Sequence, residues 1–174
     1  SLARRRHTEG ECLDLNAAPA LATHVRAVRV CDVHEGEGQS APRPRVYIHH
    51  LFDEEPAQET TDGGSDSDTV AFQMWTLPAR ELDGVWESLI FEDDLKQKLV
   101  RYVSTAMFFS ELRVDHNIIA CNRVLLLHGP PGTGKTSVCK GLAQKLAIRL
   151  RASYPQSTLL EVNAHSLFSK WFSE

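Results

Sequence analysis

The stretch "HGPPGTGKTS", residues 128–137, places two prolines and three glycines between an apolar run and a predicted helix. Its core fits the pattern G-x-x-x-x-G-K-[ST] at every fixed position, in the strand-then-helix context that this pattern requires. Glycine lacks a Cβ atom and tolerates positive φ, so backbone N–H groups from Gly132 to Thr136 can approach a ligand closely. A Gly/Pro-rich turn that carries a lysine by chance is the alternative, and this context disfavours it.

The predicted ligand of this turn is the phosphate chain of a nucleotide. Lys135 is expected to bridge the β- and γ-phosphates, and the Thr136 hydroxyl is expected to bind Mg²⁺. The two prolines restrict the free loop, so less entropy is lost on binding. The predicted nucleotide-binding residues are Gly129, Pro130, Pro131, Gly132, Thr133, Gly134, Lys135 and Thr136. The loop alone does not choose among ATPases, GTPases, kinases and transporters.

The segments next to the loop predict an α/β fold. "RVLLLHG", 123–129, is apolar without alternation, which is typical of a strand buried on both faces of a parallel sheet. Residues 135–150 predict a helix with Val138, Leu142 and Leu146 on one face, and residues 92–109 predict another helix with apolar positions three and four apart. "TLLEVNA", 158–164, predicts a second strand of the same sheet.

The first part of the chain predicts a small β-containing domain, 1–78. Strands are expected at 24–33, 42–52 and 69–78. Between the second and third, residues 53–68 hold seven acids and no base, and they predict a solvated loop; a functional acidic segment is the alternative. The loop's role and that of residues 1–20 stay open.

A linker is predicted at 79–91, followed by the nucleotide-binding domain at 92–174. The linker ends in apolar residues that either anchor it or contact a base: Val85, Trp86, Leu89 and Ile90. The chain begins with Ser1 and ends at Glu174 inside a predicted helix, so we expect it to be a fragment.

Composition is that of a globular protein: 174 residues, 42% hydrophobic, 24% charged, with a net charge of −4. No apolar stretch approaches the roughly 20 residues that span a bilayer, and no signal peptide is apparent. The four cysteines are widely spaced, which favours reduced thiols. His49 and His50 are adjacent, so in a strand they point to opposite faces and do not share a metal.

Three stretches resemble the pachytene checkpoint protein 2 family, a branch of the AAA+ ATPases also called the thyroid hormone receptor interactor family. They are "LPARELDGVWESLIFEDDLKQKLVRYVSTAMFFS" (77–110), "NRVLLLHGPPGTGKTSVCKGLAQKLAIRL" (122–150) and "EVNAHSLFSKWFSE" (161–174). The resemblance implies a partial AAA+ large subdomain, with a parallel sheet and flanking helices. It also implies that a small α+β domain for substrate binding precedes this subdomain.

The resemblance further implies ATP and Mg²⁺ as cofactors and a homo-hexameric ring in the full-length protein. The family remodels HORMA-domain proteins presented by an adaptor, in the spindle checkpoint and in meiotic recombination and synapsis. We therefore expect HORMA-domain and adaptor partners, a nuclear and cytoplasmic location with chromosome association in meiosis, and no membrane or direct nucleic-acid contact.

By the same resemblance, Lys170, Trp171 and Phe172 lie on a substrate-gripping pore loop. An aromatic side chain holds an extended peptide through shape and dispersion, without reading its sequence. Helical spacing of Leu167, Phe168, Trp171 and Phe172 favours the alternative, a helix face packed in a core, and Phe168 is expected there.

The sequence after Thr136 contains no strand ending Asp-Glu (Walker B), and no sensor or arginine finger is recognisable. No catalytic residue is therefore expected within this chain, which should be unable to hydrolyse ATP and poorly stable alone. Two other classes stay open: a GTPase or nucleotide kinase with an unrelated N-terminal domain, and an interaction module formed by the N-terminal part alone.

Overall fold

The computed structural model describes residues 11–17, 19–25, 27–30, 46–61, 69–91, 94–115 and 122–164. Two compact units form, Ser1–Val46 and Tyr47–Glu174. The domain boundaries predicted after residues 78 and 91 stay predictions.

The first unit contains a 3₁₀ turn, Leu15–Ala17, and one turn of helix, α1 (Pro19–Ala22). An isolated antiparallel bridge joins Cys12 to Arg29. Its hydrogen bonds run from Leu13 N to Val28 O (2.8 Å) and from Val30 N to Glu11 O (2.8 Å). Within the described residues, the segment predicted as a strand at 24–33 forms only this bridge.

The second unit is built on a three-stranded sheet in the order β1 (Ala57–Thr61), β2 (Thr69–Leu77), β3 (Ser157–Val162). Both pairs are antiparallel; Met74 lies opposite Ala57 on one side and opposite Leu160 on the other. The strands predicted at 69–78 and 158–164 are confirmed, with ends one or two residues away. The prediction of a solvated loop over 53–68 is wrong for residues 57–61, since these form β1 and pair with β2.

The predicted parallel sheet is wrong for the described residues. Residues 122–129 form neither helix nor strand, and Val124 and Leu126 are 74% and 83% exposed. An apolar run becomes a buried strand only when neighbouring strands and helices cover it, and no described segment pairs with this one. The strand predicted at 42–52 is also wrong for its described part, 46–52, where only Phe52 forms a bridge, with Ala79.

Both long helices are confirmed. Helix α3 spans Leu95–Glu111, and α4 spans Lys135–Arg149. The segment predicted as a linker folds into a 3₁₀ turn, Arg80–Leu82, and one turn of helix, α2 (Val85–Ser88). Among the residues that the structure describes, no helix combines the length and apolar character needed to cross a bilayer.

Helix α4 contacts two apolar clusters. One joins it to the sheet and consists of Trp75, Leu77, Ala79, Leu82 and Ala147, with Ala143 and Leu159 at its edge. The other joins it to α2 and α3 and consists of Trp86, Leu99, Val100, Val138 and Leu142, with partly buried neighbours that include Leu89, Leu127 and Leu146. The helix that follows the glycine-rich loop is thus fixed on two sides, which positions that loop.

A polar contact also ties α4 to the sheet. The Lys140 ammonium lies 2.7 Å from Glu161 Oε2 on β3 and 5.0 Å from the centre of the Trp75 ring on β2. Both charged side chains are partly buried, so this pair is less screened than a surface pair.

Gln144 forms a buried two-bond contact with the backbone of Ala79. The Ala79 amide donates to Gln144 Oε1 (2.9 Å), and Gln144 Nε2 donates to the Ala79 carbonyl (2.8 Å). Gln144 is only 5% exposed. An amide side chain is suited to this position because it offers one donor and one acceptor side by side.

We expect Gln144→Leu to lower the free energy of unfolding by about 2–6 kcal/mol, because it leaves a buried N–H and a buried C=O unpaired at about 1–3 kcal/mol each. Urea unfolding followed by circular dichroism measures the change. Gln97→Leu, at an exposed position of α3, is the matched control and should be nearly neutral. Equal stability of the two variants would contradict the role given to Gln144.

Candidate functional site

The glycine-rich loop lies between the apolar run that ends at Leu127 and the first residue of α4, Lys135. Gly129, Gly132 and Gly134 have φ angles of 150°, 78° and 79°. The last two lie squarely in the left-handed region, where a side chain is strained. The loop therefore requires glycine for its backbone path, as the sequence pattern predicts.

Most amide groups of the loop have no backbone acceptor within the described part of the chain. Among the described residues, the first backbone bond at this end of α4 runs from Val138 N to Gly134 O (2.9 Å), and none is donated by Gly132, Gly134, Lys135 or Thr136. Unpaired N–H groups at the start of a 15-residue helix carry the positive end of its dipole. Such a loop is suited to a phosphate group.

Lys135 adds a full positive charge to the same loop. Its Nζ donates to the carbonyl oxygens of Gly129 (3.0 Å) and Pro130 (2.6 Å) and lies 3.4 Å from Thr133 Oγ1. Thr133 Oγ1 in turn donates to the Pro130 carbonyl (2.9 Å). The ammonium is thus held against the loop by neutral acceptors. A charged phosphate oxygen would form a stronger hydrogen bond with the ammonium than these acceptors do.

The residues fit a nucleotide phosphate and its metal ion. Apart from its two chain neighbours, a Cβ atom on Gly132 would meet no atom of the described residues within 4 Å, so that side of the loop has room for a ligand. Thr136 is exposed in the first turn of α4, and its hydroxyl is a ligand type that Mg²⁺ accepts. All eight loop residues from Gly129 to Thr136 are brought together here; the ligand roles assigned to them stay predictions.

The apolar residues predicted to anchor the linker or to contact a base differ in their exposure to solvent. Trp86 is buried, 5% exposed, with the ammonium groups of Lys145 and Lys96 5.3 Å and 5.4 Å from its ring centre. Ile90, in contrast, is 93% exposed, so its predicted anchoring is wrong. The chain becomes extended at Leu89 (φ −78°, ψ 127°), so Ile90 is no longer on the inward face of α2.

Of the four cysteines, Cys12 and Cys139 lie in the described part of the chain, and both are free thiols. Burial raises the pKa of the Cys139 thiol, which keeps it protonated at neutral pH. Lys170, Trp171 and Phe172, the predicted pore loop, lie outside the described residues.

Two close approaches near the loop were not predicted from the sequence. A Cβ on Gly141 would stand 3.1 Å from the Trp86 Cα, so α2 and α4 are in backbone contact there. A Cβ on Gly134 would stand 3.4 Å from Leu89 Cδ2. The available signal was the glycine inside the α4 pattern, since such a glycine often marks a close approach.

Comparison with known proteins places this site in a family context. Residues 125–174, which begin just before the loop, match the ATPase family associated with various cellular activities (AAA). The pachytene checkpoint protein 2 homolog of Oryza sativa subsp. indica is 47% identical over 165 residues, which is 91% of this chain and 34% of the relative. That of Danio rerio is 57% identical over 129 residues, 74% of this chain and 30% of the relative.

A solved structure shows the same likeness. The structure of PCH-2 from C. elegans aligns with 73% of this chain at a TM-score of 0.60 and 46% sequence identity, and the alignment covers 30% of that protein. The chain spans about a third of the length of the curated relatives it matches. Over most of its own length, this chain is confirmed as a relative of the pachytene checkpoint protein 2 homologs.

Proposed function

We propose that this chain binds ATP with Mg²⁺ through residues 129–136, as the phosphate-binding segment of an AAA+ ATPase. The observation that carries the proposal is the set of amides of Gly132, Gly134, Lys135 and Thr136, which have no backbone acceptor among the described residues, next to the Lys135 ammonium at the start of α4. The match to the AAA family, which includes this loop, supports it.

Each group has a defined role in this proposal. The amides bond the phosphate oxygens, and bonds to a charged partner are worth about 1.5–3 kcal/mol each. Lys135 exchanges its carbonyl contacts for the β- and γ-phosphates, and the Thr136 hydroxyl holds Mg²⁺. The metal ion neutralises phosphate charge when bound. Binding and positioning of the phosphates are thus the contribution of this chain's own residues.

The proposed biological role is remodelling of HORMA-domain proteins, within a hexamer of the full-length protein, in checkpoint control and meiosis. The names of the relatives, pachytene checkpoint protein 2 homologs, support the checkpoint part. Nuclear and cytoplasmic location and an adaptor partner belong to the same proposal. Capture of a purified HORMA-domain protein with its adaptor by the chain tests it; no capture by the whole chain or by residues 1–80 would count against this partner.

We expect the 174-residue chain to bind ATP·Mg²⁺ and not to hydrolyse it, because Walker B, sensor and arginine-finger residues are not recognisable in it. Isothermal titration measures binding, and a phosphate-release assay measures turnover. Competition by GTP distinguishes the proposed ATP site from the site of a GTPase, since an ATP site should bind ATP more tightly than GTP. Robust turnover by the purified chain, or preference for GTP, would contradict this account.

A further inference from the structure

Leu89 packs directly on the last glycine of the phosphate loop. A Cβ added to Gly134 would stand 3.4 Å from Leu89 Cδ2, which is van der Waals distance, so the leucine methyl group lies close beside the loop backbone. Gly134 is the residue that immediately precedes α4, in the left-handed conformation with φ 79° and ψ 15°. The methyl group therefore lies next to the loop at the point where its backbone turns into the helix.

The close approach at Gly134 is one of two between the α2 segment, residues 85–89, and the same face of α4. The other is at Gly141, where an added Cβ would lie 3.1 Å from the Trp86 Cα and 3.2 Å from its N and Cβ. Seven residues separate the two glycines, which is about two helical turns, so both lie on one face. The α2 segment thus lies along α4 from its second turn back to the phosphate loop.

Several contacts hold the α2 segment in that place. The Trp86 side chain is 5% exposed and packs in the cluster that contains Val138 and Leu142 of α4. Lys145, also on α4, lies 5.3 Å from the Trp86 ring centre and 3.7 Å from Glu87 Oε1. Leu89 follows this fixed turn directly and is half-buried in the same cluster. Its position against Gly134 is therefore set by α4 itself.

We propose that Leu89 is a positioning residue for the phosphate loop: its methyl group restrains Gly134, so that the loop amides are ordered before a phosphate arrives. This inference rests on the proposed function. A loop that is already ordered loses less conformational entropy when it binds a ligand, and this smaller entropy cost makes binding tighter. The effect acts through the phosphates, so it does not depend on a nucleoside.

The test compares ATP·Mg²⁺ with Mg²⁺-tripolyphosphate, which has the phosphates and no base, by titration of the whole chain. Leu89→Ala should weaken binding of both ligands by a similar factor, at least about fivefold, below the roughly hundredfold that misplacement of a group can cost. Leu89→Met, which keeps the apolar contact, should restore most of the affinity for both. Leu112→Ala, at an exposed leucine that follows α3, is the matched control and should change neither.

The outcomes separate the possible roles of Leu89. A loss confined to ATP would show that Leu89 contacts the base, and it would overturn the positioning role. Unchanged binding of both ligands to Leu89→Ala would overturn that role while the proposed function stands. If the unsubstituted chain binds neither ligand, the proposed function fails and the role of Leu89 fails with it. Should Leu89→Ala not fold, Leu89→Val is judged by the same comparison, with circular dichroism confirming the folded fraction.

Discussion

Lys135→Ala should lower the affinity of the chain for ATP·Mg²⁺ by about two orders of magnitude or more. The ammonium lies within the loop, 2.6 Å and 3.0 Å from the carbonyls of Pro130 and Gly129. Its proposed bonds to two phosphates are charge-assisted and worth about 1.5–3 kcal/mol each, where 1.4 kcal/mol is a factor of ten in the dissociation constant. Isothermal titration of the two proteins under identical salt measures the change.

The folded state should survive this substitution. The carbonyl and hydroxyl groups that Lys135 contacts are in an exposed loop, so water replaces the ammonium there. Lys98→Ala, at an exposed position on α3, is the control for loss of one positive charge and should keep its ATP affinity within about twofold. Equal affinities of the Lys135→Ala and Lys98→Ala variants for ATP would show that Lys135 does not bind the phosphates.

Gly141→Ala should lower the free energy of unfolding by about 1–3 kcal/mol, the range found when a packed contact is overfilled. Alanine is favoured over glycine inside a helix by about 1 kcal/mol, so propensity alone predicts the opposite sign. Packing is expected to win because the new methyl group would meet the Trp86 Cα at 3.1 Å and N at 3.2 Å, and backbone cannot rotate away. Urea unfolding measures the difference.

Thr105→Ala is the control for helix propensity without packing. Thr105 is exposed on α3, and its hydroxyl bonds only the Arg101 carbonyl of the same helix (2.8 Å). That substitution should be neutral or slightly stabilising. A Gly141→Ala variant that is more stable than the unsubstituted chain would show that α2 separates from α4 without cost, and the account of the α2 contact would be wrong.

The parts predicted correctly from sequence are those governed by local physics. Helix α4 follows from apolar residues three and four apart, and the loop follows from glycines whose φ angles no other residue adopts easily. Strand β3 follows from a short apolar run between polar segments. In each case the deciding interactions lie within a few residues of one another.

The pairing of the strands could not be predicted from the sequence because the paired residues are far apart along the chain. Trp75 pairs with Leu159, and Phe72 pairs with Val162, although about 80 to 90 residues separate them. Alternation along a strand shows which side chains share a face and says nothing about which strand lies beside it. Residues 123–129 had the composition of a buried strand, yet burial depends on neighbours that the pattern does not contain.

The contacts of α2 show the same limit at a smaller scale. Trp86 and Ile90 are equally apolar in the sequence, but only Trp86 faces α4, because the helix ends between them. Gln144 reads as a surface residue of an amphipathic helix, and only the fold reveals the Ala79 backbone beside it. Polar core contacts of this kind require knowledge of the facing element.

A crystal structure of the chain with Mg²⁺ and a non-hydrolysable ATP analogue tests the central claim most directly. The account predicts phosphate oxygens within hydrogen-bond distance of the amides from Gly132 to Thr136, with the Lys135 ammonium moved from the Gly129 and Pro130 carbonyls to the phosphates. A triphosphate bound elsewhere, with Lys135 still on those carbonyls, would contradict it.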